Sequence, residues 1–253
     1  MDIDVALVPS QARTWTDRVC IVIDELRASS TITTLLDLGA SEVLLTQSLP
    51  EARRLAGEYG SLLAGERGGV TPRGFDYNNS PAELAGSDLH GRSVVLSTSN
   101  GTAVLAELQA APVVLVGCLL NARACAETAV AAASELRTGV GIVCAGTLGR
   151  FALDDAVAAG LLVGRLMDAL AARGNGWSLS DAAIAAVRLR SAFPEIEEAL
   201  AQSVAGRLVT RLGAGDDVPF CARVDASATV AVLRAGHPLR VERSVVREPA
   251  AAR

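Results

Sequence analysis

The chain has 253 residues, half of them apolar, which is enough to bury a full hydrophobic core and excludes a largely disordered protein. All 23 basic residues are arginines, which excludes both a lysine-dependent phosphate-binding loop and a Schiff-base lysine. The formal net charge of −5 and the lack of basic runs argue against a nucleic-acid partner, and two histidines nearly exclude a histidine-rich metal site.

Short apolar segments alternate with helical patterns along most of the chain. Six runs rich in Val, Ile and Leu have the length of strands that are buried on both faces, namely Val19–Ile23, Val43–Thr46, Leu62–Ala64, Val94–Ser97, Val113–Gly117 and Val140–Cys144. The helices between and after them are predicted over Ser29–Leu38, Ser48–Tyr59, Asn100–Ala110, Ala122–Arg137 and Asp155–Ala172. The alternation predicts a three-layer α/β/α fold with a largely parallel or mixed sheet.

The pattern changes after Arg173. Two helical segments are predicted near Ser180–Arg190 and Pro194–Leu212, followed by two closing strands at Thr229–Arg234 and Leu239–Val245. We expect one α/β domain over residues 1–253, with two lobes at about 1–120 and 121–253 and the site between them as the other arrangement left open. An irregular segment from Gly65 to Pro81 has almost no apolar periodicity, which is typical of a functional loop.

Cysteine usage and the absence of targeting patterns indicate the compartment. The five cysteines show no Cys-x-x-Cys spacing, so neither a zinc cluster nor a disulfide framework is expected. The acidic start, Met1-Asp2-Ile3-Asp4, is unlike a signal peptide, and no apolar stretch approaches the ~18 residues that span a bilayer. We expect a soluble cytoplasmic protein without a membrane partner.

Polar residues and glycines gather where the predicted strands end. They follow five strands, at Asp24–Thr31, Gly65–Gly69, Ser97–Thr102, Gly117–Asn121 and Cys144–Thr147. In open α/β sheets, ligands bind at the carboxyl ends of strands. One such end is ordinary turn chemistry, but five in one sheet indicate a ligand site.

Several residues at these ends have chemistry suited to a phosphorylated anion. A carboxylate such as Asp24 binds Mg²⁺ or attacks phosphorus, and the guanidinium of Arg27 suits a pair of phosphate or sulfonate oxygens. The turn at Asn100–Thr102 starts a helix and favours an anion, while Asp154 and Asp155 offer hard oxygen ligands. The structural alternatives are helix caps, a surface salt bridge and dipole-favoured acids.

Two phosphatase patterns match in part. Cys144 and Arg150 have the Cys-x5-Arg spacing of the cysteine phosphatases, in which a thiolate attacks phosphorus. Asp24 fits the nucleophile of haloacid-dehalogenase-type enzymes, but Leu26 stands where those enzymes carry a second Asp, and their lysine is absent here.

The chain resembles the Mg²⁺-dependent 2-phosphosulfolactate phosphatase family, which is associated with coenzyme M biosynthesis. The matching stretches run in family order at Asp24–Thr31, Ala64–Gly69, Gly74–Pro81, Ser97–Thr102, Cys144–Thr147, Asp154–Asp155 with Ala159–Gly160, and Asp216–Asp217 with Cys221. The sequence departs from the family pattern at Asn78, Ser99 and Asp154, where Gly, Thr and Glu are expected.

The resemblance implies a phosphoric monoester hydrolase that converts (2R)-2-phospho-3-sulfolactate to 3-sulfolactate and phosphate with Mg²⁺. Catalytic roles are implied for Asp24, Arg27 and Asn100. Substrate-binding roles are implied for Arg67, Ser99, Gly101, Thr102 and Cys144, and metal-binding roles for Asp24, Glu66, Asp76, Asp154 and Asp155. A phosphatase acting on another small phosphorylated acid, and a non-catalytic binder of small anionic metabolites, stay open as alternatives, as does a homodimer.

Overall fold

The computed structural model describes residues 1–98 and 100–244, which contain eleven strands and ten α-helices. The strands are β1 (Asp2–Ala6), β2 (Val19–Ile23), β3 (Glu42–Thr46), β4 (Leu62–Gly65), β5 (Tyr77–Asn78), β6 (Ser93–Ser97), β7 (Val113–Val116), β8 (Val140–Cys144), β9 (Ser178–Leu179), β10 (Ala231–Arg234) and β11 (Leu239–Arg243). The helices are α1 (Ala28–Asp37), α2 (Leu49–Tyr59), α3 (Pro81–Leu84), α4 (Gly101–Glu107), α5 (Ala122–Leu136), α6 (Leu153–Ala172), α7 (Asp181–Ser191), α8 (Ile196–Gln202), α9 (Val204–Arg211) and α10 (Asp217–Cys221). The predicted site residue Ser99 and the predicted strand end at Val245 lie outside the described residues.

All eleven strands form one mixed sheet in the order β5-β4-β6-β3-β11-β10-β7-β2-β8-β1-β9. Strands β3 to β6 are parallel to one another, and so are β1, β2, β7, β8 and β9. Between these two blocks, β11 pairs antiparallel with β3, and β10 pairs antiparallel with both β11 and β7. The two parallel blocks therefore run in opposite directions.

The carboxyl ends of the two blocks lie at opposite edges of the mixed sheet. Five pairings separate β6 from β2, and at roughly 20–25° per pairing the twist accumulates to roughly 100–125°. A twist of that size turns two opposed blocks so that their carboxyl ends can approach each other. The approach is seen directly, because the N–H of Gly101, just after β6, donates to the carboxylate of Asp24, just after β2, at 2.7 Å.

Alternate side chains of β2 pack against different helical layers. Val19, Ile21 and Ile23 belong to one core cluster with residues of α5, α6 and α7, whereas Cys20 and Val22 belong to a second cluster with residues of α1 and α4. A strand buried on both faces needs apolar residues at every position, and this is why β2 reads as a continuous apolar run. The predicted three-layer α/β fold is confirmed. The single-domain assignment stays a prediction.

Most predicted elements are present, and their caps follow the sequence signals. For α2, the Ser48 hydroxyl oxygen accepts the N–H of Glu51, and the helix ends at Gly60, whose φ of 64° is left-handed. The helix predicted over Pro194–Leu212 is instead two helices, because Ser203 is extended and caps α9 by accepting the N–H of Gly206. None of the helices in residues 1–98 and 100–244 has the length and apolar composition needed to cross a membrane.

Five elements of the structure were not predicted from the sequence. They are β1, β9, α3 and α10, together with β5 inside the segment from Gly65 to Pro81. In β1 the apolar residues Ile3 and Val5 alternate with Asp2 and Asp4, a pattern too short to stand out beside the longer apolar runs. The others are two to five residues long, and their tertiary partners rather than local periodicity specify them.

Candidate functional site

Asp24 links the end of β2, in one parallel block, with the turn after β6, in the other. Its carboxylate accepts the N–H of Gly101 at 2.7 Å and the N–H of Ala28 at 3.3 Å, while the hydroxyl oxygen of Ser29 accepts its own N–H. A Cβ at Gly101 would lie 2.9 Å from Oδ2 of Asp24, so only glycine allows this close approach. The carboxylate is therefore held in one orientation at the carboxyl end of β2.

Arg27 lies one turn further on and is buried although it is charged. Its Nη1 donates to Oδ2 of Asp217 at 2.7 Å, and its Nη2 donates to Oδ1 of Asn78 at 3.4 Å. The arginine fork thus connects the start of α1 to the end of β5 and to α10. Burial of a guanidinium requires such a partner, because an unpaired buried charge is strongly destabilising.

The neighbouring acids Asp154 and Asp155 are both buried in the first turn of α6, but they have different surroundings. Asp155 accepts the N–H of Glu25 and the N–H of Gly146, both at 2.8 Å, and so joins the loops that follow β2 and β8. Oδ1 of Asp154 is buried and has no hydrogen-bond partner among the described residues. A metal ion, a water or a group of the substrate could supply the partner that this buried oxygen lacks.

The turn after β6 forms hydrogen bonds to other parts of the protein that the sequence does not predict. The N–H of Gly101 donates to Asp24, and the substrate-binding role of Gly101 stays a prediction. Thr102 is buried with its hydroxyl 3.0 Å from that of Thr98, and Oδ1 of Asn100 accepts the N–H of Leu148 at 3.5 Å. Asn100 therefore connects this turn with the loop after β8.

Glu66 and Arg67 follow β4 on the same side of the site. One oxygen of Glu66 accepts the N–H of Gly69 at 2.9 Å, and its charge acts on Asp24. The guanidinium of Arg67 donates to the carbonyl of Glu66 at 2.6 Å, to the hydroxyl of Ser97 at 3.1 Å and to the carbonyl of Gln47. Arg67 thus fixes the loop after β4, and its substrate-binding role stays a prediction.

Two predicted site residues have other positions in the structure. The exposed Asp76 accepts the N–H of Leu63 at 2.8 Å and returns its own N–H to the carbonyl of Leu63, which fastens the loop to β4. Cys144 is completely buried at the end of β8, and burial raises the pKa of its thiol well above the usual value. Burial therefore gives Cys144 none of the thiolate character that the Cys-x5-Arg mechanism requires, and its substrate-binding role stays a prediction.

The buried acids affect one another's ionisation. Burial raises the pKa of Asp24, and the charge of Glu66 raises it further, against the hydrogen bonds from Ala28 and Gly101 and the charge of Arg27. Burial raises the pKa of Asp154 to about 7, with Asp24 adding to the rise. Burial also raises the pKa of Asp155 and brings that of Glu25 to about 8. The surroundings of these four acids therefore do not fully stabilise their negative charges.

The acids fit a magnesium ion that is bound by few protein ligands. Within residues 1–98 and 100–244, no three Asp, Glu, His or Cys side chains form a group that could hold a metal alone. Mg²⁺ characteristically binds through one or two carboxylates and fills its other positions with water and substrate phosphate. The unpartnered oxygen of Asp154 suits that mode. The oxygens of Asp24 and of Asp155 all accept backbone amides, but the bond from Ala28 to Asp24 is long, at 3.3 Å, whereas both bonds to Asp155 are 2.8 Å.

The raised pKa of Asp154 predicts that the metal-free protein becomes less stable as the pH rises. The folded-state pKa of about 7 lies above the unfolded value of about 3.9, so between them the folded state binds more protons. The free energy of unfolding then falls from about pH 4 to about pH 7. We expect the Tm measured in EDTA to fall over this range and to fall less steeply in Asp154→Asn.

The exposed acid Asp168 on the same helix supplies the control for this measurement. Asp168→Asn should reproduce the parent slope of Tm against pH. Asp24, Asp155 and Glu25 also have raised pKa values, so a residual slope is expected in Asp154→Asn. Equal slopes in Asp154→Asn and the parent protein would contradict the ionisation assigned to Asp154.

Several residues around the site had no predicted role. Glu25 is buried and accepts the N–H of Leu119 at 3.0 Å and the hydroxyl of Ser30 at 3.2 Å. Asp217 is the partner of Arg27, although 190 residues separate them in the chain. Neither has a periodic signal in the sequence, and Asp217 beside Asp216 looks like an ordinary acid at a helix start.

Comparison with known proteins identifies the family. The sequence profile of the 2-phosphosulpholactate phosphatase family matches residues 6–236. A probable 2-phosphosulfolactate phosphatase of Deinococcus radiodurans is 42% identical over 220 residues, which cover 86% of this chain and 88% of the relative. One from Thermus thermophilus is 39% identical over 92% of this chain and 95% of the relative, and one from Clostridium acetobutylicum is 34% identical over 83% and 86%. The chain belongs to the 2-phosphosulfolactate phosphatase family.

Proposed function

We propose that this protein hydrolyses (2R)-2-phospho-3-sulfolactate to 3-sulfolactate and phosphate with Mg²⁺. The observation that carries the proposal is the unpartnered oxygen of Asp154, a buried acid whose ionisation the charge of Asp24 affects, together with Arg27, which follows Asp24 at the end of β2 and whose charge acts on it. Acidic ligands for a cation and a buried cationic fork are what a small phosphorylated acid requires. Family membership supports the same substrate.

In this proposal Asp24 and Asp154 hold Mg²⁺, with Glu66 as the further acid beside Asp24. When bound, the ion would offset negative charge on the phosphoryl oxygens. The hydrogen bonds from Gly101 and Ala28 keep the Asp24 carboxylate oriented without further reorganisation. Arg27 binds and orients an anionic oxygen pair of the substrate, and Asn100, at the turn after β6, contributes a further polar contact to it.

A direct assay tests the proposal. Phosphate release from 2-phosphosulfolactate and from p-nitrophenyl phosphate is measured with and without Mg²⁺. We expect Mg²⁺-dependent release, with much higher kcat/KM for 2-phosphosulfolactate. Release from other phosphorylated acids alone would assign a different substrate, and binding without release would make the protein a non-catalytic binder.

The roles of Arg27 and Asn100 are tested by substitution. Arg27→Lys keeps the positive charge but loses the fork, so we expect kcat/KM to fall at least ~10-fold, a little over 1 kcal/mol of transition-state binding. Asn100→Ala should also lower kcat/KM. Arg53→Lys, at an exposed position on α2, is the matched control and should keep the parent kinetics. Parent-like kinetics in both site variants would place the phosphate site elsewhere.

We further propose that the protein acts in the cytoplasm. All five cysteines are free and buried, as expected for a protein kept in a reducing compartment. Assembly as a homodimer stays a prediction.

A further inference from the structure

The surroundings of Arg27 carry an inference beyond the proposed reaction. Asp217 is completely buried in the first turn of α10, and its Oδ2 lies 2.7 Å from Nη1 of Arg27. Its other oxygen accepts the hydroxyl of Ser80 at 2.7 Å and the N–H of Ala82 at 3.1 Å. The carboxylate is thus fixed by three hydrogen bonds before any ligand arrives.

The two partners of Arg27 lie on different elements and hold different parts of its fork. Asp217 binds Nη1 from α10, and Asn78 binds Nη2 from the end of β5. Oδ1 of Asn78 in turn accepts the N–H of Asn79 at 2.7 Å, and its amide donates to the carbonyl of Gly69 at 3.3 Å. Both partners are therefore held by their own backbone surroundings, and they fix where the guanidinium points.

Asp217 also supplies the charge that lets Arg27 remain buried. A guanidinium carries five N–H donors, more than Asp217 and Asn78 use, so the pairing does not exhaust its capacity for an anion. Without a counter-charge, a buried Arg would be driven to move toward solvent. The pairing thus keeps a charged fork at the site in a single orientation.

We propose that Asp217 is a positioning residue that holds the guanidinium of Arg27 in the orientation in which it binds the anionic substrate. This inference rests on the proposed function of Arg27. Asp217 acts only through Arg27, so its removal should matter only when Arg27 is present. A role limited to joining α3 and α10 would affect the protein in either case.

A double-mutant cycle tests this with four proteins: the parent, Asp217→Asn, Arg27→Met and the double variant. We expect Asp217→Asn to lower kcat/KM at least ~10-fold, mainly through KM, in the parent and to have no further effect in Arg27→Met. Asp216→Asn is the matched control, since the same change one residue away affects an exposed side chain, and it should keep the parent kcat/KM. A loss of equal size with and without Arg27, or no loss in either, would overturn the inference.

Folding and turnover are separated in the same experiment. If Asp217→Asn does not fold, Arg27→Met is compared with the double variant. The double variant lacks both members of the ion pair, so it leaves no buried charge without a partner. Equal kcat/KM supports the inference, and a further loss in the double variant contradicts it.

Should even the parent release no phosphate, the proposed function fails. Calorimetric binding of inorganic phosphate with Mg²⁺ then decides the role of Asp217. Weaker binding in Asp217→Asn only where Arg27 is present supports positioning, and any other pattern refutes it.

Discussion

Replacing Asp24 by Asn should lower the rate of phosphate release by at least ~1,000-fold, about 4 kcal/mol of transition-state stabilisation, while moving the Tm by only a few degrees. The substitution nearly preserves shape but removes the negative charge that holds a cation or attacks phosphorus. One oxygen remains to accept the N–H of Gly101, the shorter of the two bonds. The rate is measured below the Tm with saturating Mg²⁺, and the Tm is measured on the same preparation.

The stability of Asp24→Asn depends on two opposing effects. The amide nitrogen of Asn would face the N–H of Ala28, which leaves a buried donor unsatisfied and costs roughly 1–3 kcal/mol. Against this, the substitution removes a buried charge that Glu66, Asp154 and Asp155 repel. Because the effects have opposite signs, a small net change in Tm is expected.

A turn aspartate elsewhere in the chain supplies the comparison for Asp24. Asp88 is exposed, and its Oδ1 accepts the N–H of His90 at 3.1 Å, which is the purely structural role considered for Asp24. Asp88→Asn should keep the parent rate. If Asp24→Asn behaves like Asp88→Asn, active but less stable, then the active site is not at the end of β2.

The sequence was sufficient to predict the longer strands and helices, because the signals that specify them lie within a few residues of one another. β2 and β8 have the predicted bounds because a strand buried on both faces must be apolar throughout. The cap at Ser48 and the left-handed Gly60 mark the ends of α2 as expected. These features depend on neighbours within a few residues, so periodicity and capping rules are enough to locate them.

The direction of each strand could not be predicted in the same way. Whether β3 runs with or against β2 depends on the insertion of β10 and β11 between β3 and β7, and these two strands come from the end of the described chain. Apolar runs contain no information about this distant pairing. Asp24 and Gly101 nevertheless come together across the two opposed blocks, a contact that no local pattern in the sequence predicts.

The partition of roles among the acids was also beyond the sequence. Asp154 and Asp155 are neighbours of the same residue type, yet one has an unpartnered oxygen and the other binds two backbone amides. Part of this difference comes from Glu25, which is 130 positions before Asp155 in the chain and whose N–H binds one oxygen of Asp155. Composition at a helix start identifies candidate ligands, but only the tertiary contacts show which of them has an oxygen to offer.

Removing divalent cations should abolish phosphate release, and Mg²⁺ should restore it. The buried acids repel one another, and Arg27 is a cation that acts on Asp24, so we expect the charge on an incoming phosphate to require a metal ion at Asp24 and Asp154. Activity is measured in EDTA, after dialysis, and on titration with Mg²⁺. Cys144→Ser should keep most of the parent activity, because its thiol is buried with a raised pKa. Full activity in EDTA that is lost in Cys144→Ser would instead support thiolate chemistry.

Stability provides a readout of the same metal site that does not depend on turnover. A ligand that binds only the folded state stabilises it by about 2.7 kcal/mol at a concentration of 100 times Kd. Mg²⁺ should therefore raise the Tm of the parent protein, and more at about pH 8 than at about pH 5.5, because Asp154, with a pKa of about 7, must release its proton to bind the ion. In Asp154→Asn the rise should shrink at both pH values, whereas Asp168→Asn should behave as the parent does. A rise in Tm that is independent of pH and unchanged in Asp154→Asn would place the cation away from this acid, even if turnover required Mg²⁺.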